Sequence, residues 1–122
     1  MANVLVVDDV SIMRFTIKKH LTSLGHKVIA EASNGFEAIN QYETHNPDIV
    51  TMDITMPAEN GIKNGIEALV GIKKIDRDAK VIMVTSHGEE RLVMEAITKG
   101  AKGYILKPIT EEKLSDALKQ FS

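Results

Sequence analysis

Asp48-Ile49-Val50-Thr51-Met52-Asp53-Ile54-Thr55-Met56-Pro57 is a short apolar run that ends on a carboxylate and is stopped by a proline. Its apolar residues are continuous rather than alternating, as expected of a strand covered on both faces, which is the habit of a parallel sheet. Outward from it, short apolar runs recur at Val4 to Val7, Lys27 to Ala32, Lys80 to Thr85 and Gly103 to Leu106, continuous likewise at Val4 to Val7 and Val81 to Val84. With Asp48 to Asp53 these make five predicted strands. Helical spacing fills the gaps, most clearly at Met13, Ile17, Leu21 and Leu24 and at Leu92, Ala96 and Ile97. Gly25 and Gly100 follow the first and fourth helices, where a residue free to take positive φ ends a helix cheaply. Asn46-Pro47 closes the second helix. Thr110 caps the last, which runs to about Gln120 with Glu111 and Glu112 in its favoured first turn. The alternation predicts an α/β fold, (βα)₅, with right-handed crossovers and helices on both faces of an open sheet. A (β/α)₈ barrel closes only at about 250 residues, so this chain is too short for one.

Composition agrees with one globular domain spanning residues 1 to 122, with no room for an output domain. The 43% hydrophobic and 26% charged residues are those of a folding chain, and neither a membrane span nor a signal peptide is legible. A formal charge of −2 argues against nucleic acid or an anionic membrane as a partner. The absence of Cys rules out disulfides and thiolate metal sites, and a cytoplasmic location is the default expectation. His20, His26 and His45 share no metal-ligand spacing and are expected to face solvent.

Ligands of open α/β sheets sit at the carboxyl ends of the strands. Asp8 and Asp9 end the first strand, Asp53 the third and Thr85 the fourth, and Lys107 follows the fifth. Taken singly, each acid reads equally well as an ordinary loop residue, Lys107 as a surface lysine and Thr85 as a β-branched strand residue. Taken together, three carboxylates at one edge repel one another unless they share a cation, and Mg²⁺ is a hard, oxygen-seeking answer. A lysine there pairs with the acids or with a phosphoryl oxygen, and a threonine hydroxyl donates to the same oxygen.

The combination Val4-Leu5-Val6-Val7-Asp8-Asp9, Asp48 to Pro57, Val84-Thr85-Ser86 and Tyr104-Ile105-Leu106-Lys107-Pro108 resembles the response-regulator receiver family, most closely its single-domain chemotaxis members. The resemblance spans nearly the whole chain and implies a flavodoxin-like sheet of order 2-1-3-4-5. It implies a phospho-acceptor switch of a two-component system rather than an enzyme, one that assists its own phosphotransfer and autodephosphorylation. Asp53 takes the phosphoryl group from a sensor histidine kinase. Asp9, Asp53 and the Thr55 backbone carbonyl hold Mg²⁺, with Asp8 acting through water. Lys107 binds the phosphoryl group and Thr85 swings towards it. Tyr104 then moves inward, reshaping the face formed by the fourth helix, fifth strand and fifth helix. That face meets a flagellar motor switch protein or another downstream protein. Thr55 and His87 line the path of the hydrolysing water and tune the signal's lifetime; a phosphatase is a further partner, and the chain is expected to be a monomer. Ser86 stands where the family commonly carries Ala. A phosphorelay intermediate and a phosphorylation-independent interaction module are the alternatives.

The pattern breaks after Pro57. Asn60-Gly61-Ile62-Lys63 is followed by the near-repeat Asn64-Gly65-Ile66-Glu67, four residues more than the family pattern. Four residues are close to one helical turn, so the addition fits a longer third helix rotated by roughly 40°. Gly65 inside that helix costs about 1 kcal/mol, however, and a longer loop is the better expectation. An enzyme of haloacid dehalogenase type needs a second Asp two residues beyond the nucleophile, where this chain has Thr55. A flavin module needs a phosphate-cradling loop where this chain has Asp8-Asp9.

Overall fold

The computed structural model describes residues 1–122. Strands and helices alternate as β1 (Asn3–Val7), α1 (Ser11–Ser23), β2 (Lys27–Ala32), α2 (Gly35–His45), β3 (Ile49–Asp53), α3 (Gly65–Ile75), β4 (Val81–Thr85), α4 (Glu90–Thr98), β5 (Gly103–Leu106) and α5 (Glu111–Leu118), with a closing 3₁₀ turn at Lys119–Phe121. The five strands are parallel in the order β2-β1-β3-β4-β5. Strand bounds differ from the sequence reading by one residue: β1 starts at Asn3, β3 at Ile49 and β4 at Val81.

Period-two alternation divides each continuous apolar run between two cores. Leu5, Val7, Val50, Met52, Val81 and Met83 meet Ala38, Leu69, Ile72 and Ala96 from α2, α3 and α4. Val4, Val6, Ile49, Ile82, Val84 and Ile105 meet Ile17, Leu21, Leu114 and Leu118 from α1 and α5. Both faces of the central strands are therefore buried. Register then fixes the upper edge: Val7 lies beside Met52, Asp53 beside Val84 and Thr85 beside Leu106. The strands finish nearly level, which gathers whatever follows them.

Short polar residues start three of the helices. Asn34 accepts from Glu37 N–H, Asn64 from Ile66 and Glu67 N–H, and Thr110 from Lys113 N–H. The repeated Asn-Gly pair meets two different fates. Asn60 and Gly61 take positive φ (47° and 82°) in a tight turn closed by reciprocal Glu59–Ile62 backbone hydrogen bonds of 3.0 and 2.9 Å. Asn64 and Gly65 instead cap and begin α3. The added residues thus form a loop, and Gly65 avoids the mid-helix position. The loop is anchored, since a Cβ on Gly35 would meet Ile62 Cγ2 at 2.5 Å.

Two histidines depart from the solvent-facing expectation. His20 is half-buried, and so is His26, whose Nδ1 accepts the Ala2 N–H at 3.1 Å. Burial and then the nearby N-terminal charge lower the His26 pKa. His87 lies in the turn between β4 and α4. No helix is long and apolar enough to cross a membrane.

Gly65 is required by a close approach: a Cβ there would lie 2.0 Å from the Asp53 carbonyl oxygen. Gly65→Ala is expected to cost about 1–3 kcal/mol or more in urea unfolding, because backbone rather than a flexible side chain must move. Gly61→Ala has open space around it and is expected to lose only about 1 kcal/mol, from positive φ. Equal losses would contradict this account.

Candidate acidic site at the sheet edge

Asp8 and Asp53 are buried at the ends of β1 and β3, and Asp9 is exposed beside them. Single oxygens of the three carboxylates lie within 4.8 Å of one another. One cation answers them directly: Lys107 Nζ stands 3.4 Å from Asp53 Oδ1 and 3.7 Å from Asp8 Oδ2. Backbone geometry delivers that ammonium. Lys107 N–H donates to the Thr85 carbonyl at 2.7 Å, and Lys113 Nζ donates to the Leu106 and Pro108 carbonyls at 2.9 and 3.0 Å, bracing the loop from below. At the other end of the site Arg14 Nη1 donates to the Asp8 carbonyl at 2.7 Å while its Nε pairs with Glu31 at 3.1 Å. Arg14 and Lys113 were not singled out in the sequence, where each reads as an ordinary helix-surface cation.

The charges do not balance. Burial, and then repulsion from Asp8, push the Asp53 carboxyl up to about 7; Lys107 pulls it back by charge and hydrogen bonding, and Asp9 adds a smaller push upward. Asp8 Oδ1 accepts the Val10 N–H at 2.9 Å, but buried Asp8 Oδ2 has no hydrogen-bond partner. A buried oxygen with an ammonium 3.7 Å away but no hydrogen bond, beside two further carboxylates, suits a hard divalent cation, which takes carboxylate oxygens and keeps water on its other positions. The residues present therefore fit an ion of the Mg²⁺ kind.

Thr85 ends β4 with 2% of its surface exposed, as the run before it requires. Its hydroxyl points into a contact that the sequence reading missed. Glu89 Oε1 accepts from Thr85 Oγ1 at 2.9 Å and from the Ser86 N–H at 2.7 Å, while Glu89 Oε2 accepts the Thr55 hydroxyl. Burial raises the Glu89 pKa, but the bonds from Ser86, Thr55 and Thr85 and the Lys107 charge together outweigh it and leave the carboxyl below its usual range. A signal for this residue existed: Ser86-His87-Gly88-Glu89 has the S-x-x-E spacing in which a glutamate reaches back to a backbone N–H. Tyr104 faces outward with 55% of its surface exposed, beside a cavity of about 250 Å³ that Thr85, His87, Val93, Met94 and Leu106 help to line. His87 and Thr55 are both exposed. The fold thus brings Asp8, Asp9, Asp53, Thr85 and Lys107 together, with Thr55 and His87 on the two loops above them and Tyr104 one strand away.

The unfolded chain ionises Asp53 near the ordinary value of 3.8, whereas the folded chain keeps its proton up to about 7. Between those values the folded state binds more protons, so this group's stabilisation is complete below pH 3.8 and is lost as pH rises through 7. In EDTA, Asp53→Asn is therefore expected to raise the urea midpoint at pH 8 more than at pH 5. A constant offset between variant and parent across that range would contradict it.

Residues 4–119 match the model of the response regulator receiver domain. The chain is 45% identical over 119 residues to the chemotaxis protein CheY of Thermotoga maritima, covering 98% of this chain and 96% of that one. It is 44% identical to chemotaxis protein CheY of Bacillus subtilis, covering 94% and 92%. Among solved structures, the CheX–CheY–BeF3–Mg²⁺ complex of Borrelia burgdorferi superposes with a TM-score of 0.89 at 39% identity, covering 98% and 89%. A two-component response regulator of the LuxR family from Aurantimonas sp. SI85-9A1 gives the same score at 32% identity, covering 99% and 84%. A matching family model over nearly the full length, joined to the 2-1-3-4-5 sheet with its acidic edge, means that the chain belongs to the response regulator receiver domain family.

Proposed function

We propose that the chain is a Mg²⁺-dependent phospho-acceptor switch in which Asp53 takes a phosphoryl group from the phosphohistidine of a sensor kinase. The observation that carries this reading is the buried Asp53 carboxylate held 3.4 Å from Lys107 Nζ, between Asp8 and Thr85. An Asp53 oxygen attacks phosphorus, the P–N bond to imidazole breaks, and the imidazole leaves with the bonding electron pair and takes up a proton. Asp8, Asp9, Asp53 and the Thr55 carbonyl would hold Mg²⁺. When bound, the ion would supply positive charge to the phosphoryl oxygens and favour the ionised form of Asp53, whose carboxyl burial and Asp8 otherwise raise to about 7. Lys107 neutralises a phosphoryl oxygen already within its reach, and the Thr85 hydroxyl donates to another. Little covalent work is left to the protein beyond placing these groups.

Output follows from the same geometry. Exposed Tyr104 stands beside a cavity that it can enter once Thr85 moves towards the site, changing the surface made by α4, β5 and α5. That surface carries Met94 and Ile97, both exposed, as apolar material for a partner. The names of the Thermotoga and Bacillus relatives favour chemotaxis. In this reading the downstream partner is a flagellar motor switch protein, and a phosphatase acts on the acyl phosphate. A monomeric, cytoplasmic protein signalling by protein contact fits this reading. Thr55 and His87 would bound the path of the hydrolysing water and so set the signal's lifetime.

Treatment of the protein with acetyl phosphate or phosphoramidate is expected to add one phosphoryl group by intact mass. The gain should require Mg²⁺ and vanish in Asp53→Asn. No gain under any condition would refute the switch and leave a phosphorylation-independent interaction module; full labelling of Asp53→Asn would assign a different acceptor.

A further inference from the structure

We propose that Glu89 is a latch that competes with the incoming phosphoryl group for the hydroxyl proton of Thr85. The inference rests on the phospho-acceptor reading above and adds a positioning residue to it. A threonine hydroxyl carries a single proton, so it donates to one acceptor at a time. Here the proton is engaged: Oγ1 lies 2.9 Å from Glu89 Oε1, against a poorer alternative at 3.3 Å on the Ser86 carbonyl. The acceptor is itself held in place, since the same Oε1 takes the Ser86 N–H at 2.7 Å and Oε2 takes the Thr55 hydroxyl.

These bonds tie three segments into one resting arrangement. Thr55 stands on the loop after β3, Thr85 ends β4, and Glu89 immediately precedes α4. Thr85 cannot turn its proton to an oxygen on Asp53 without giving up a charge-assisted bond to a carboxylate. Surrendering it also leaves the Ser86–Glu89 turn with fewer restraints, and that turn lies against the cavity beside Tyr104. Glu89 thereby opposes the active arrangement by withholding the Thr85 donor. A ligand shifts such an equilibrium only by its differential affinity, so removing a contact made solely in the resting state raises the ligand's apparent affinity.

The test titrates the full chain, in Mg²⁺, with beryllofluoride and follows the Tyr104 ring and Ser86 amide by NMR. Glu89→Ala is expected to lower the half-saturating concentration roughly three- to tenfold, between the worth of an exposed ion pair and that of a charged hydrogen bond. In a Thr85→Val background, which has no proton to contest, Glu89→Ala is expected to change it less than about twofold, the double-mutant cycle reporting the coupling. Glu89→Gln keeps an acceptor without the charge and guards against a disordered turn; it should give a smaller gain of the same sign. An equal gain in both backgrounds would mean general charge repulsion and overturn the latch, as would no gain in the parent or a Glu89→Gln effect of opposite sign. Failure of the parent chain to bind beryllofluoride at all would instead overturn the phospho-acceptor reading.

Discussion

The ion pair between Lys107 and the buried carboxylates of Asp53 and Asp8 is the constraint around which the rest of this molecule is arranged. Two buried acids with a third beside them are costly, and one ammonium does not neutralise them. Asp53 therefore rests near the midpoint of its titration at neutral pH, and Asp8 Oδ2 lacks a hydrogen-bond donor. Such a site favours whatever brings positive charge or removes negative charge. A divalent cation does the first, and in the proposed reaction the phosphoryl group would be matched by Lys107 and by donors nearby.

A parallel sheet is what makes so unfavourable a cluster sustainable. Its central strands are wrapped on both faces, so β1, β3 and β4 are rigid supports, and their level upper ends fix the spacing of the side chains that follow. The supports outside the sheet are cations gripping carbonyls: Arg14 on Asp8 and Lys113 on Leu106 and Pro108. Neither touches a carboxylate of the site. Each instead fixes the backbone from which an active side chain projects.

The resting state carries its own restraint. Glu89 adds a further negative charge to a neighbourhood already rich in it, and the contact is tolerable because two hydroxyls, an amide and the Lys107 field surround it. A switch needs two arrangements close in free energy, and a hydrogen bond that must be exchanged for another is a compact way to hold them close.

Much of this was legible in the residues. Continuous apolar runs ending in Asp8, Asp53 and Thr85 dictated a doubly covered parallel sheet and placed the acids at its carboxyl edge, because period-two strands and right-handed crossovers leave few other arrangements. Thr110 as a cap, Gly25 and Gly100 at helix ends, and a loop rather than a longer helix after Pro57 followed from local chemistry. Tertiary structure decided what depends on distance across the chain. The same Asn-Gly pair became a turn at residue 60 and a helix start at residue 64, because Gly65 must pass against the Asp53 carbonyl and Ile62 must fill the space over Gly35. His26 lost its expected place in solvent to the Ala2 amide, a partner 24 positions away. Glu89 met Thr55 across 34 positions, and only the packing of two loops over one sheet edge brings those side chains together.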